Sequence, residues 1–481
     1  MKKFKRREIR EAVRLYAVTD RRWLKKDEKL TEVCKTLLAN GITCLQYREK
    51  KLQGEAVYAE AAALCRLCHE YGVPFIVNDD WEMAVRTGAD GVHLGQEDLL
   101  LFKNNVQSLR EMIGPEMIIG ISVQTEEEAV AAQRVGADYL GAGAVFPTGT
   151  KKDAKSVSLE ELKRICSAVS IPVIAIGGIT EKNINRLAGR GIEGTALISS
   201  LFAAADYGKA AQEFASLTRS LLTPPVLSVA GSDSSGGAGL QADLKTMSAL
   251  GCYGMTAVTS LTAQNTLGVT AIRNVTPDFL QAQLEAVFSD IRPRAVKTGM
   301  LPNAALVKQL AVSLKHYRPE YLVVDPVMAA TSGAVLAADE AVQAMKSALF
   351  PQASLLTPNI PEAEILAEMP IKNAADMERA AQKIAQEFGC AVLVKGGHGA
   401  EEANDVLCSQ GKINWFFGKK IMTANTHGTG CTLSSAIACF LAKGLTLQAA
   451  VGAGKEYLAA ALSVDFSVGH GNGPFYHLPR P

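Results

Sequence analysis

The stretch Val173-Ile174-Ala175-Ile176-Gly177-Gly178-Ile179 decides the fold of the first half of this 481-residue chain. Its four apolar residues are typical of a buried strand, and the two glycines permit a turn whose backbone N–H groups face an anion. Amphipathic helical stretches separate it from seven similar runs, at residues 15–18, 43–46, 75–78, 91–94, 118–121, 138–141 and 195–198. Eight strand–helix units in roughly 210 residues predict a TIM (β/α)₈ barrel over residues 1–222.

The composition limits the classes of function. A chain of this length exceeds a single hydrophobic core, so we expect two domains. With 48% hydrophobic and 21% charged residues and a net charge of +1, it has no electrostatic footprint for nucleic acid or an anionic membrane. No apolar run approaches the ~18 residues of a membrane span, and charged residues follow the basic N-terminus at once. The ten cysteines show no framework spacing, so we expect reduced thiols and a cytoplasmic protein.

Polar side chains follow the predicted barrel strands where each strand ends. The two-residue period places Gln46, Arg48 and Lys50 on one cationic face after the second strand. Asn78, Asp79 and Asp98 follow the third and fourth strands, and Ser122 ends the fifth. Because carboxyl ends of barrel strands meet at one end, two carboxylates beside Arg and Lys predict a Mg²⁺-diphosphate site.

A second anion site is predicted near the seventh and eighth strands. Gly178 follows the seventh strand, and Ile198 and Ser199 end the eighth, in the positions of the phosphate cradle common to this fold. The loop after the sixth strand adds the hydroxyls of Thr148 and Thr150 and the ammonium of Lys151.

Taken in order, these segments resemble thiamine phosphate synthase, through residues 15–20, 46–50, 78–79, 98, 148–151, 177–178 and 198–199. The resemblance implies that an aminopyrimidine-methyl diphosphate is held by Gln46, Arg48, Lys50, Asn78, Ser122 and Lys151. It implies Mg²⁺ at Asp79 and Asp98, and a thiazole phosphate at Thr148, Thr150, Gly178, Ile198 and Ser199. Arg48, Lys50 and Lys151 would stabilise the departing diphosphate, and the thiazole nitrogen would capture the pyrimidine methyl cation. Thiazole tautomerase is the alternative, which retention of both aspartates with Arg48 and Lys50 disfavours.

A second domain is predicted over residues 226–481, after Pro224 and Pro225 break the last barrel helix. A strand at 226–229 leads into a glycine-rich turn at 230–239 that lacks the Lys-Ser/Thr of a Walker A loop. Because ligands in open α/β sheets lie beyond the carboxyl ends of strands, Asp325 and Glu362 are candidates for the Mg²⁺ of MgATP.

The strongest local feature of this half is 425–432, Asn-Thr-His-Gly-Thr-Gly-Cys-Thr, at the start of a predicted buried helix that ends at Lys443-Gly444. Its unpaired N–H groups, with Gly428 and Gly430 allowing close approach, predict a site for a phosphoryl group. Cys431 lies in the first turn, where the helix dipole is expected to lower its pKa and supply thiolate near neutral pH. A buried structural cysteine is the alternative.

The second half resembles hydroxymethylpyrimidine and phosphomethylpyrimidine kinases of the ribokinase-like α/β fold, through residues 230–239, 241–245, 262–266, 357–359, 395–398 and 427–431. The resemblance implies that Asp243 and Gln264 position the pyrimidine near Met300, that Lys395 serves the nucleotide phosphates, and that Cys431 occupies the place of a catalytic base. ATP would be the co-substrate. Pyridoxal kinases are the runner-up, and a non-catalytic precursor-binding protein is a further alternative. A homo-oligomer is compatible with the sequence.

Overall fold

The computed structural model describes residues 4, 8–101, 106–148, 156–328, 338–397, 402–423 and 425–478, without the side chains at 99–101 and 106–108. The chain divides into two compact units, Met1–Leu222 and Thr223–Pro481. Among the described helices, none combines the length and the apolar character that crossing a bilayer requires.

Eight parallel strands close the first unit into a barrel in chain order. The strands are β1 (Leu15–Val18), β2 (Cys44–Tyr47), β3 (Phe75–Asn78), β4 (Gly91–Leu94), β5 (Ile118–Val123), β6 (Tyr139–Gly143), β7 (Val173–Ile176) and β8 (Gly194–Leu197). The predicted barrel is therefore confirmed, with strand limits within two residues of those expected. The largest difference is in β5 and β6, whose ladder continues as far as Val123 opposite Ala142.

Helices pack against the barrel. They are α1 (Ile9–Ala12), α2 (Leu30–Ala39), α3 (Glu55–Glu70), α4 (Trp81–Thr87), α5 (Gln96–Leu101), α6 (Val106–Ile113), α7 (Glu126–Arg134), α8 (Leu159–Ala168), α9 (Ser199–Phe202) and α10 (Tyr207–Leu222). Helix α7 shows the local reason for such an element, because the Thr125 hydroxyl accepts the Glu128 N–H and three glutamates in the first turn complement the helix dipole.

The second unit is a nine-stranded sheet in the order β11-β10-β9-β12-β13-β14-β15-β16-β17, parallel except where β11, β16 and β17 join it. The strands are β9 (Pro225–Asp233), β10 (Tyr253–Asn265), β11 (Gly268–Asn274), β12 (Ala295–Thr298), β13 (Tyr321–Val324), β14 (Leu355–Leu356), β15 (Ala391–Val394), β16 (Asp405–Ser409) and β17 (Lys412–Phe416). This mixed sheet agrees with the predicted ribokinase-like architecture.

Helices cover both faces of this sheet and enclose two apolar clusters. One cluster includes residues of α11 (Gly239–Ala249), α17 (Thr429–Lys443) and α18 (Leu447–Leu462). The other includes residues of α12 (Pro277–Asp290), α13 (Ala304–Tyr317), α14 (Asp339–Ala344), α15 (Ile360–Ala367) and α16 (Ala374–Phe388). Helix α17 ends as predicted, with Gly444 in the left-handed conformation that glycine adopts without strain.

Candidate active sites

A chain of hydrogen-bonded polar side chains crosses the interior of the barrel. The Gln46 amide nitrogen lies 3.0 Å from the Tyr16 hydroxyl, which lies 2.7 Å from the Tyr139 hydroxyl. The Tyr139 hydroxyl lies 2.9 Å from His93 Nδ1, and His93 Nε2 lies 3.0 Å from the Ser122 hydroxyl. Two residues predicted from the sequence, Gln46 and Ser122, are therefore connected through three that were not.

Arg48 is held by its backbone at the end of β2. The Thr19 hydroxyl accepts the Arg48 N–H at 2.8 Å and donates to the Arg48 carbonyl at 3.1 Å, and the Thr19 N–H donates to the Gln46 carbonyl. Lys50 is exposed, and its N–H donates to the carboxylate of Glu49. The backbone that carries Arg48 is thus fixed, whereas the Lys50 side chain lies in solvent.

Asp79 and Asp98 lie together, as predicted. The backbone of Asp79 is left-handed, with φ of 64°, and its N–H donates to the His93 carbonyl on β4. Partial burial, followed by repulsion from Asp98, raises the pKa of Asp79 to about 6, while Arg48 and Asn78 oppose the rise. The structure therefore brings both carboxylates, Arg48 and Asn78 into one site.

The carboxylate pair fits Mg²⁺ by the chemistry of its donors. Two neighbouring carboxylates that repel each other are stabilised by a divalent cation, and Mg²⁺ commonly combines one or two of them with substrate phosphate oxygens. Within the described ranges no three His, Cys, Asp or Glu side chains form a metal-binding group. Phosphate oxygens would therefore supply part of the coordination.

The glycine turn after β7 and the start of α9 line a small cavity. Its walls include Thr148, Gly178, Ile198 and Ser199, which the sequence placed in one phosphate site. Gly178 has φ of +65°, and a Cβ there would lie 2.6 Å from the Phe146 carbonyl oxygen. Only glycine fits this turn. Thr150 and Lys151 lie outside the described residues, so their predicted contacts stay predictions.

The glycine-rich turn after β9 holds an Asp–His–Gln arrangement. The Asp233 carboxylate accepts the N–H groups of Ser235 and Ala238 and lies 3.0 Å from His427 Nε2. Burial disfavours the charged form, but His427 and the Ser235 contacts outweigh it and lower the pKa of Asp233 to about 2. Gln264 Nε2 lies 3.1 Å from the same ring nitrogen, so His427 connects the turn to Gln264.

Asp243 is fully buried and pairs with Lys297 at 2.8 Å. Hydroxyls of Ser228 and Ser435 donate to the same carboxylate. With its oxygens so engaged and no exposed surface, Asp243 is restricted to an indirect role, and its predicted positioning of the pyrimidine stays a prediction. Met300, the other predicted neighbour, lies against Gly231 of β9.

Lys395, Asp325 and Glu362 form a buried group at the carboxyl ends of β13 and β15. The Lys395 ammonium lies 2.8 Å from Asp325 Oδ1, and Glu362 closes a capping box with Asn359 at the start of α15. Burial raises the pKa of Glu362 to about 7, with Lys395 opposing and Asp325 adding to the rise. The structure thus brings the predicted phosphate lysine and both predicted Mg²⁺ candidates together.

This shift predicts how replacement of Glu362 changes stability with pH. Because the folded pKa of about 7 exceeds the ordinary 4.5, the stabilisation is complete below pH 4.5 and is lost as the pH rises through 7. We expect Glu362→Gln and the wild type to melt alike at pH 4 in EDTA, and the variant to melt about 4 °C or more higher at pH 8.5. Calorimetry measures the difference. The exposed Glu285 supplies the control, Glu285→Gln, and a gap independent of pH would contradict the prediction.

The start of α17 lies directly against the glycine-rich turn. Gly428 has φ of +89°, and a Cβ on it would lie 2.0 Å from the Gly237 carbonyl oxygen. A Cβ on Gly430 would lie 3.3 Å from the Lys395 ammonium, so the helix start and this cation face the same space. The helix start of the predicted anion site therefore lies beside a largely buried lysine that is paired with Asp325.

The expected thiolate at Cys431 is wrong. Burial raises the pKa of the Cys431 thiol, Lys297 opposes the rise, and Asp243 and Asp325 add to it. The helix dipole was expected to decide the titration, but surrounding protein atoms and two carboxylates outweigh it. Cys431 is therefore a neutral thiol near pH 7 in this structure.

Several functional residues were not identified from the sequence. His93, Tyr16 and Tyr139 occupy inward positions of barrel strands, and a His or Tyr at such a position is the signal that could have revealed them. Lys297 lies within the apolar strand β12, and a lysine there needs a buried partner. His427 was visible in the motif, but its pairing with Asp233 depends on contacts across the fold.

Comparisons with known proteins agree with this division. A family model described as thiamine monophosphate synthase matches residues 15–201, and one described as phosphomethylpyrimidine kinase matches residues 233–476. The thiamine biosynthesis bifunctional protein ThiED of Geobacter sulfurreducens is 44% identical over 96% of this chain and 94% of its own length. The hydroxymethylpyrimidine/phosphomethylpyrimidine kinase of Escherichia coli is 44% identical over 52% of this chain and 96% of its own length.

Among solved structures, the ADP complex of Bacillus subtilis pyridoxal kinase is similar to the second unit. It is 36% identical, has a TM-score of 0.51, and covers 53% of this chain and 98% of its own. The two family matches follow one another along the chain, one in each unit. The alignment with the bifunctional relative covers both units. The chain therefore belongs to the family of bifunctional thiamine biosynthesis proteins, in which a thiamine monophosphate synthase half precedes a phosphomethylpyrimidine kinase half.

Proposed function

We propose that the second unit uses ATP to phosphorylate hydroxymethylpyrimidine and then its monophosphate, and that the barrel couples the resulting diphosphate to thiazole phosphate, giving thiamine phosphate. The observation that carries this proposal is that, among the described residues, each unit of one chain of this family brings predicted site residues together. The barrel has a carboxylate pair beside Arg48, and the second unit has a lysine beside a glycine-rich helix start.

In the second unit, binding and charge stabilisation come from residues whose positions are fixed. N–H groups at the start of α17 and the Lys395 ammonium face the transferred phosphoryl group, where developing charge is stabilised without reorganisation. Asp325 holds the ammonium at 2.8 Å. Asp325 and Glu362 would hold Mg²⁺, directly or through water, and bound Mg²⁺ would neutralise phosphate charge. Gln264, whose amide nitrogen lies 3.1 Å from His427 Nε2, would contact the pyrimidine.

Cys431 is proposed as the base that receives the substrate hydroxyl proton. Because the resting thiol is neutral, it must first release its proton to solvent as the substrate binds, with Lys297 favouring the thiolate. The thiolate sulfur then accepts the proton of the substrate hydroxyl. We expect Cys431→Ala to lower kcat for phosphorylation about a hundredfold with little change in KM, because general-base catalysis contributes at least that much. The control is Cys390→Ala, a partly exposed cysteine elsewhere in the unit. Near-normal turnover of Cys431→Ala would exclude the base role.

In the barrel, the proposed step is departure of diphosphate from the pyrimidine methyl group and capture of the resulting cation by the thiazole nitrogen. Arg48 and Lys50 would stabilise the leaving diphosphate, with Lys151 as a further predicted contact. Asn78 and Ser122 would orient the pyrimidine diphosphate, and Thr148, Gly178, Ile198 and Ser199 the thiazole phosphate. Bound at Asp79 and Asp98, Mg²⁺ would neutralise charge on the diphosphate.

Pyridoxal is the alternative substrate of the second unit, because the Bacillus subtilis structure that it resembles is named a pyridoxal kinase. The kinase relatives that match at 41% to 46% identity are named for the pyrimidine instead. Comparing kcat/KM for pyridoxal and hydroxymethylpyrimidine distinguishes the two, and we expect the pyrimidine to be preferred.

A reconstitution tests both activities together. The purified chain, given hydroxymethylpyrimidine, MgATP and thiazole phosphate, is expected to form thiamine phosphate. If product appears only when pyrimidine diphosphate is supplied, the kinase proposal fails. If pyrimidine diphosphate accumulates and no thiamine phosphate forms, the synthase proposal fails.

A further inference from the structure

The polar chain inside the barrel joins five side chains from five different strands. Gln46, Tyr16, Tyr139, His93 and Ser122 follow one another at 3.0, 2.7, 2.9 and 3.0 Å. Both tyrosines are fully buried, and Gln46 and His93 are 4% and 8% exposed. Interiors of such barrels are ordinarily filled by branched apolar side chains, so a continuous polar chain there costs stability unless each member is bonded.

Neighbouring strands leave room for the two inner rings. A Cβ at Gly120 would lie 2.2 Å from the Tyr139 ring, and one at Gly141 would lie 3.1 Å from His93 Cε1. Any larger residue at Gly120 would displace the tyrosine from its position between Tyr16 and His93. Glycines on β5 and β6 therefore provide the space for the polar chain.

When the Gln46 amide nitrogen donates to Tyr16, the donors and acceptors of the polar chain can be assigned in one self-consistent way. Tyr16 then donates to Tyr139, Tyr139 donates to His93 Nδ1, and His93 Nε2–H donates to Ser122. This order directs the hydroxyl hydrogen of Ser122 and the carbonyl oxygen of Gln46 away from the chain. For Gln46 to present a donor, or Ser122 an acceptor, every hydrogen bond between them would have to reverse its direction.

We propose that Tyr16, Tyr139 and His93 are positioning residues that act as one unit and fix Gln46 as a hydrogen-bond acceptor and Ser122 as a donor toward the bound pyrimidine diphosphate. The inference rests on the proposed coupling activity of the barrel. An amino group on the pyrimidine ring donates to the Gln46 carbonyl, while ring nitrogen or diphosphate oxygen accepts from Ser122. A substrate analogue with an oxo group in place of the amino group presents an acceptor to an acceptor.

The polar chain thereby determines which substrate is accepted as well as how the substrate is positioned. A glutamine free to rotate its amide would accept either analogue, since it can present nitrogen or oxygen. An amide that is held by Tyr16 presents only oxygen. Sites built to bond one hydrogen-bonding group reject the analogue that lacks it, because their polar groups are then left unpaired.

The test measures kcat/KM for coupling with the aminopyrimidine diphosphate and with its oxo analogue, at saturating thiazole phosphate and Mg²⁺. We expect the ratio between the two substrates to fall at least about tenfold in Tyr139→Phe and in Tyr16→Phe. The double variant should fall little further, because each single change already breaks the chain. A merely structural role would lower both rates together and leave the ratio unchanged.

Tyr47→Phe is the matched control. Tyr47 is a buried tyrosine of β2 whose hydroxyl donates to Glu60 at 2.8 Å, outside the interior chain, so its ratio should equal that of the wild type. Ratios unchanged in Tyr16→Phe and Tyr139→Phe, or additive losses in the double variant, would overturn the inference. Absence of coupling in the wild type would instead remove the proposed function, and this inference with it.

Discussion

Asp79→Ala is expected to lower thiamine phosphate formation from supplied pyrimidine diphosphate about a thousandfold while phosphorylation of hydroxymethylpyrimidine stays within twofold of the wild type. Partial burial, followed by repulsion from the neighbouring Asp98, raises the pKa of Asp79 to about 6. Removing one leaves a single carboxylate for Mg²⁺ and weakens the neutralisation of the leaving diphosphate. The two activities are measured separately on the same purified chain.

Asp80→Asn is the matched control for this variant. Asp80 is the adjacent residue, but its side chain accepts the Met83 N–H at the start of α4, a bond that asparagine can also make. We expect coupling in Asp80→Asn to remain near that of the wild type. Loss of both activities in Asp79→Ala would contradict two independent sites, and retention of coupling would exclude Asp79 from the synthase site.

Lys395→Met is expected to have the opposite selectivity and to lower phosphorylation about a thousandfold while coupling of supplied diphosphate persists. The Lys395 ammonium lies next to Gly430 at the start of α17, and it also balances Asp325. Methionine keeps the volume of the side chain and removes its charge, so phosphate oxygens lose a counter-charge. ATP turnover with hydroxymethylpyrimidine provides the measurement.

The lysine variant needs a check on folding, because Asp325 and Glu362 lose their buried partner. Lys383→Met serves as the control. Lys383 lies on the surface of α16, donates to the Ala367 carbonyl of α15, and has no part in the site. Calorimetric melting of both variants separates unfolding from loss of catalysis. A folded Lys395→Met chain with normal phosphorylation would exclude the proposed role of Lys395.

The barrel could be predicted because its strands carry a simple local signal. Short apolar runs separated by helical stretches fix the fold, and parallel strands place their carboxyl ends together. Asn78, Asp79 and Gly178 could therefore be assigned to one end of the barrel before any contact was known. The start of α17 was predictable for a similar reason, since two glycines before a buried helix are unfavourable without a ligand.

Contacts between inward side chains could not be predicted. The two-residue period shows that His93 and Tyr139 point inward, but which atoms meet depends on strand stagger around the closed barrel. The predicted thiolate at Cys431 was wrong for a related reason. Its position in the helix is visible in the sequence, whereas the burial and the neighbouring Asp243 and Asp325 that raise its pKa come from distant segments.

The small residues that admit the inner rings also bear on engineering. Gly120 is a position that protein engineering for stability would ordinarily change, because replacing a strand glycine with a β-branched residue usually favours the strand. At this position the added atoms would meet the Tyr139 ring. Thermostable variants of this barrel should therefore be sought among the outer helices, because filling Gly120 would displace Tyr139 and lower stability together with the proposed substrate discrimination.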